Sequence, residues 1–220
     1  MNDTEYLAKA NILTTPELAD ALDFFSLPGT LLGVKAITGN KKIAGWAWTV
    51  RYVPVDPDNP GSVGDYIDQV KPGDVVVIDN AGRLDCTVWG GILSQVAAAK
   101  GIAGTIIHGV SRDTDEAINS HYPIYACGNY MRTGKDRVQV AAVAGAVNIC
   151  GVLVNQGDLM VADIDGAVVI GKKHIAQVIE RALEMKAIEE QIVHDALAGM
   201  SISDARKKHN YHLLQRNPSL

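Results

Sequence analysis

The stretch KPGDVVVIDNAGRLDCTVWGGILSQVAAAKGIAGTIIHGVSRD, residues 71–113, decides the fold. Lys71-Pro72-Gly73 reads as a turn, and Asp74 to Asp79 is a near-continuous β-branched run suited to a strand buried on both faces. Asn80-Ala81-Gly82 is expected to end that strand. Gly91 to Lys100 is Ala-rich and amphipathic, with Gly101 at its C-terminal stop, so it reads as a helix. Gly104 to His108 is a second buried strand, ended by Gly109. Strand, helix and strand with short connections make a βαβ unit, whose crossover should be right-handed.

Upstream, Thr14-Thr15-Pro16-Glu17 has capping-box spacing with Pro beside the cap, which predicts a short helix through Phe25. Ile43 to Val55 alternates apolar and polar residues as a half-buried strand, and Asp65 to Val70 makes one or two helical turns. Downstream, strands are expected at Ile124–Cys127, Val138–Val143, Asn148–Val154, Leu159–Ala162 and Ala167–Ile170, with Asp165-Gly166 as a hairpin signal. Lys172 to Ala198 is the longest helical pattern, Ser201 to His209 suggests one more short helix, and the last residues should fray. Nothing resembles a long linker or repeat, so all 220 residues are read as one α/β domain with a core near 15–200 and a tail at 201–220.

Composition narrows the function. With 25 acidic against 20 basic residues the formal net charge is −5, which gives no bulk attraction for phosphate backbones and argues against a nucleic-acid partner. Aromatic residues are only 5%, so the core must be aliphatic. Cys86, Cys127 and Cys150 include no CxxC pair and indicate neither a zinc site nor a disulfide framework. The first residues lack a signal-peptide pattern and no apolar run approaches a membrane span, so the expected compartment is the cytoplasm, with no membrane partner.

Three tempting motifs fail on spacing. Gly128 to Asp136 echoes a P-loop, but one residue too many separates the glycines and Asp136 replaces the metal-binding hydroxyl. Arg132, Lys135 and Arg137 therefore read as a solvated basic loop, with anion contact the lesser alternative. Asp163-Ile164-Asp165-Gly166 lacks the downstream Glu of a calcium loop and is better read as a turn. The six His residues form no HxH or HExxH pair.

One constellation stands out. Trp89-Gly90-Gly91-Ile92-Leu93 opens the crossover helix, where two glycines leave N–H groups uncovered at the positive end of the dipole, a seat for a carboxylate. Gly109-Val110-Ser111-Arg112-Asp113 leaves the C-terminal end of the next strand, the edge where ligands bind in open α/β sheets. Arg112 can fork onto a carboxylate or an enolate oxygen, and Asp113 can hold a divalent ion. The competing reading is a mutual surface ion pair.

These segments, together with Gly73–Val77, Lys100–Gly104 and Gly157–Gly166, recur in the order found in the RraA-like family, which the chain resembles over residues 15 to 200. That family holds 4-hydroxy-4-methyl-2-oxoglutarate / 4-carboxy-4-hydroxy-2-oxoadipate aldolases and regulators of ribonuclease E activity. The resemblance implies a β/β/α swivelling-type fold, assembled as a homotrimer (or hexamer) with active sites between subunits. It also implies a metal-dependent aldolase using Mg²⁺ (or Mn²⁺), with oxaloacetate decarboxylation as a side activity. Arg112 and Asp113 match the family's Arg-Asp pair, Asp113 being the implied metal anchor. The aldolases place an acidic residue twenty intervening residues before that pair, where this chain has Gly91. Asp85 is a possible substitute, and His108 stands where many relatives place Asp. A Glu from a neighbouring subunit's C-terminal helix is also implied, best matched by Glu190, with Glu189 adjacent.

The resulting expectation is a class II lyase that cleaves a small 4-hydroxy-2-oxo acid to pyruvate. Arg112 and Glu190 are its catalytic residues; Gly90, Gly91, Ile92, Leu93 and Arg112 bind substrate; Asp113 holds the metal. The alternatives are a non-catalytic trimeric regulator, or a lyase for a different hydroxy-oxo acid.

Overall fold

The computed structural model describes residues 2–214; residues 215–220, expected to fray, lie outside the described residues. Four parallel strands carry the architecture: β2 (Ile43–Pro54), β3 (Val75–Thr87), β4 (Gly104–Ser111) and β5 (Ile124–Asn129). The helix α3 (Gly91–Ala99) connects β3 to the adjacent parallel β4, so the predicted βαβ unit is present. The run Val75–Ile78 is fully buried, as its β-branched composition requires of a central parallel strand.

Antiparallel strands extend this sheet on both sides. The two-residue β1 (Lys35–Ala36) pairs with β5. Along its other edge, β2 pairs first with β9 (Leu159–Asp163) and farther on with β6 (Val138–Val143), while β10 (Gly166–Ile170) closes the order β1-β5-β4-β3-β2-β9-β10. A separate hairpin, β7 (Val147–Ile149) with β8 (Val152–Val154), packs on the sheet. This is an α/β domain with a central mixed sheet and a long C-terminal helix, α5 (Ile175–Leu197).

Helices cover the sheet where their apolar stripes demand it. The α2 helix (Thr15–Phe24) starts at the predicted capping box, in which Thr14 accepts from Glu17 N–H and Glu17 accepts from Thr14 N–H. Leu18, Ala21 and Leu22 face Val178, Ile179 and Ala182 of α5 in one core, which also covers β9 and β10. A second core lies between the sheet and α3 with α4 (Thr114–Asn119), and includes Trp48, Ile78, Trp89 and Tyr122. The third packs Val75, Val77 and Ile106 against the β7–β8 hairpin. The short α6 (Ile202–Lys208) follows α5 with Ser201 as its cap. Among the described residues no helix is long and apolar enough to cross a membrane.

Four local expectations need correction. Asn80-Ala81-Gly82 does not end β3: the strand continues to Thr87 through two register shifts. Ala81 and Gly82 take φ of 52° and 67°, and Asp79 Oδ1 accepts the Ala81 N–H at 2.8 Å, so the break is a bulge. Likewise β4 runs past Gly109 to Ser111. Asn148–Val154 is a hairpin rather than one strand, because Cys150 and Gly151 both adopt left-handed φ, 54° and 86°. That is the twist a two-residue turn requires. The β9–β10 turn falls on Ile164-Asp165, one residue earlier than predicted. Its Asp163 is already engaged, accepting from Thr15 N–H and Oγ1 at 2.7 and 2.6 Å and from Asp165 N–H at 3.0 Å. A first helix, α1 (Asp3–Ile12), was not anticipated, although Asn2 and Glu5 form a capping box with the same spacing as the one used for α2.

Candidate active site

The site is assembled where β3 and β4 end. At the close of β3 the chain passes through Trp89 and enters α3 at Gly90, which has no side-chain cap. The Gly90 carbonyl accepts from Ser94 N–H and Ser94 Oγ, and the Trp89 indole donates to Ser94 Oγ at 3.0 Å. Trp89 in turn stacks on Tyr122 with ring centroids 5.8 Å apart, and its carbonyl accepts from Arg112 N–H at 3.1 Å. This network fixes the α3 N-terminus against the loop leaving β4.

That loop delivers the predicted pair. Asp113 sits in the left-handed region, φ 55°, as the residue before α4. Its Oδ2 accepts the Gly91 N–H at 2.9 Å and lies 3.4 Å from Arg112 Nε. Both side chains are 38% exposed, so the pair is neither buried in structural contacts nor fully solvated. It lines a cavity of about 580 Å³, and Gly90, Gly91, Ile92 and Leu93 line the same cavity. The residues expected to bind substrate and metal therefore line one cavity, and Arg112 and Asp113 also form the half-exposed mutual ion pair that the competing reading expects.

The cavity is completed by segments that sequence reasoning did not assign to it. The 3₁₀ turn Asp65–Gln69 contributes Asp65, Ile67 and Asp68, and the loop before β6 contributes Thr133, Gly134 and Lys135. Lys135 and Arg132 are exposed, as expected of a solvated basic loop, and Lys135 also borders the cavity. No local pattern could have shown this, since the loop reaches the site through long-range bonds. Thr87 N–H donates to Arg132 O at 3.0 Å, and Gly134 packs so closely that a β-carbon there would stand 2.2 Å from Thr87 O.

Other candidates lie elsewhere. Asp85 pairs with Arg83 at 3.7 Å and does not line the cavity. His108 Nδ1 lies 3.1 Å from Asn148 O and 3.7 Å from Asp79 Oδ1, also outside it. Within one chain Glu190 does not reach the site: it is exposed on α5 and 3.6 Å from Lys186, which itself holds Glu17 at 2.8 Å. Burial, with Asp20 and Glu17 close by, pushes the neighbouring Glu189 carboxyl above its usual range.

Among the described residues no cluster of three or more His, Cys, Asp or Glu side chains could hold an ion. The described residues of one chain thus present no all-protein cage of the zinc or calcium kind. The site fits Mg²⁺, which keeps several waters and binds through one or two carboxylates plus substrate oxygens. Asp113 supplies one such carboxylate in the cavity wall, with both its protein contacts made through Oδ2.

Comparison with known proteins bears on the family and the fold. The model of the RraA-like (aldolase/RraA) family matches residues 15–169. Protein DlpA of Legionella pneumophila is 36% identical over 197 residues, covering 89% of this chain but only 32% of DlpA. The chain thus spans about a third of that relative's length. A protein of Halalkalibacterium halodurans named "Putative 4-hydroxy-4-methyl-2-oxoglutarate aldolase" is 29% identical over 190 residues, covering 86% of this chain and 87% of its own. A crystal structure of an uncharacterized protein from Pseudomonas syringae pv. tomato superposes with a TM-score of 0.86 at 39% identity, covering 92% of this chain and 97% of that one. The fold, the ordered motifs and these matches place the chain in the RraA-like family.

Proposed function

We propose that the protein is a divalent-metal-dependent carbon–carbon lyase that cleaves a small 4-hydroxy-2-oxo acid to pyruvate and decarboxylates oxaloacetate as a side reaction. The observation that carries this reading is the juxtaposition of Arg112, Asp113 and the uncapped α3 N-terminus on one cavity. The aldolase name of the Halalkalibacterium relative supports the same reaction class.

Each residue has a separate task. The N–H groups of Ile92 and Leu93, in the first turn of α3, receive the substrate carboxylate, since Gly91 N–H is already donated to Asp113. That bond and the Arg112 contact fix the Asp113 carboxylate through Oδ2, leaving Oδ1 to hold Mg²⁺ (or Mn²⁺). When bound, the ion supplies Lewis acidity toward the keto and carboxylate oxygens of the acid. Arg112 opposes the negative charge that grows on the keto oxygen as the C–C bond breaks. Because that charge is largest in the transition state, the contact accelerates cleavage rather than merely tightening binding. The proton of the 4-hydroxyl is taken by Glu190 of a second copy, directly or through water, in the homotrimer (or hexamer) with sites between subunits that the family resemblance implies.

The direct test is pyruvate release from 4-hydroxy-4-methyl-2-oxoglutarate and from oxaloacetate with Mg²⁺ or Mn²⁺, followed by lactate dehydrogenase. The wild type is expected to turn over both, and Asp113→Ala to lose on the order of 10²–10³ in rate, the scale of one lost transition-state contact. Full metal-dependent activity in Asp113→Ala would remove its assigned role. A wild type inactive on both acids would favour the regulator or a lyase for another hydroxy-oxo acid.

A further inference from the structure

Cys127 and Cys150 lie far apart in the sequence and share no motif, yet the fold brings their thiols together. Cys127 is near the end of β5, and Cys150 opens the turn between β7 and β8. Both are partly buried against one core, in which Tyr125, Ile149 and Val154 are buried. The Cys150 thiol hydrogen-bonds to that of Cys127, and Cys127 Sγ donates to the Ile107 carbonyl at 3.9 Å. The remaining cysteine, Cys86, is wholly buried in a different core.

The hairpin that presents Cys150 is fixed to the sheet close beside it. Asn148 N–H donates to Asp79 Oδ2 at 3.2 Å, and His108 Nδ1 lies 3.1 Å from Asn148 O. Gly151 N–H donates to Asn148 Oδ1 at 2.9 Å, which closes the turn around Cys150. Cys150 itself holds φ 54°, a left-handed backbone that suits Gly or Asn and that a residue with a β-carbon adopts at a cost. A cysteine held there, with its thiol on a second thiol, is placed for bonding rather than for filling space.

We propose that Cys127 and Cys150 are a modification site: a dithiol that small disulfides of the glutathione type oxidise reversibly to a disulfide stapling the β7–β8 hairpin to β5. Burial, the Cys127 thiol and Asp79 push the Cys150 thiol up to about 11, so at neutral pH it stays protonated and Cys127 attacks first. The Cys127 thiolate attacks one sulfur of the small disulfide, its proton passes to the thiolate that leaves, and a mixed disulfide remains. Cys150 then gives up its proton and attacks Cys127 Sγ, expelling the second small thiol. The two protein thiols lose two electrons, and one small disulfide gains them to become two thiols. Capping Cys127 removes the neighbour that helps keep Cys150 protonated, so the second step follows readily from the first.

The experiment equilibrates the intact protein with oxidised glutathione, quenches it in acid and reads it by mass spectrometry, whole and after peptide mapping. The wild type is expected to lose about 2 Da, to yield a cross-linked peptide pair carrying Cys127 and Cys150, and to recover its mass with dithiothreitol. Cys150→Ser should stop at the mixed disulfide on Cys127. Closing a loop of about two dozen residues should also raise the Tm of the oxidised wild type by roughly 5–10 °C, a shift absent from Cys127→Ser and Cys150→Ser. Three free thiols after equilibration, a stable glutathione adduct on the wild type, or a bond between two chains overturns the pairing. An oxidised wild type that melts no higher than the reduced one overturns the staple.

Discussion

A β-carbon on Gly90 would stand 2.7 Å from Asp113 Oδ2 and 3.3 Å from Arg112 Nε, so the missing side chain at 90 is what lets the pair close over the α3 N-terminus. The backbone of Gly90 is extended, φ −151°, and any residue could adopt it, so the demand here is for space alone. Gly90→Ala is therefore expected to leave the thermal melt close to wild type while the Asp113 carboxylate swings away from Gly91 N–H. Loss of one charge-assisted bond predicts a fall in turnover of about 10- to 100-fold, and an unaltered rate in a correctly folded variant would show that the carboxylate's orientation does not matter. At Gly91 a β-carbon would meet Glu116 Cβ and Cγ, both at 3.2 Å, and Asp113 Cβ at 3.3 Å. The acidic residue that the family resemblance leads one to expect there has no room unless Glu116 moves. The Arg-Asp pair and the two glycines were legible because each is local in sequence and lies at a strand end or helix start. Lys135 was not, because only the contacts of Thr87 with Arg132 and Thr133 bring its loop to the cavity.

Helices and strands with a strong period were read closely, and segments whose backbone turns without Pro were not. The α2 start, the α3 span and Val138–Val143 follow from a capping box, an Ala-rich stripe and a short segment carrying Val at 138, 140 and 143. The bulge after Asp79 and the turn at Cys150-Gly151 depend on left-handed φ at Ala81 and Cys150, residues that carry no turn signal by type. At the far end of α5, Asp195 ties α6 back by pairing with Lys208 Nζ and His209 Nε2, both at 2.7 Å. The hydrogen bonds from Lys208 and His209 lower the Asp195 carboxyl from 3.8 to about 2. A carboxyl depressed by folding stabilises the junction above its unfolded value and loses that contribution as pH falls through the folded one. Amide exchange of α6 is thus expected to be protected at pH 5 and to accelerate between about pH 4 and 2. In Asp195→Asn it should be fast throughout that range; if α6 in that variant stays as protected at pH 5 as the wild type, the clamp is not what holds the helix.

The whole molecule divides its labour between two ends. Leu18, Leu22, Val178 and Ile179 bury one face of the sheet under α2 and α5, far along the chain from the cavity at the ends of β3 and β4. Glu190 belongs to that helical layer, so its proposed part in proton transfer requires a second copy of the chain. In the proposed reaction Arg112 and the α3 N-terminus lower the energy of a pyruvate enolate. That stabilisation is tested most directly by proton NMR of pyruvate in D₂O with Mg²⁺ present, because exchange of the methyl protons requires the enolate and nothing of the distal group. The wild type is predicted to exchange them well above the protein-free rate, and Arg112→Ala to be slower by on the order of 10²–10³. Exchange no faster than the blank, or equally fast in Arg112→Ala, would contradict the account.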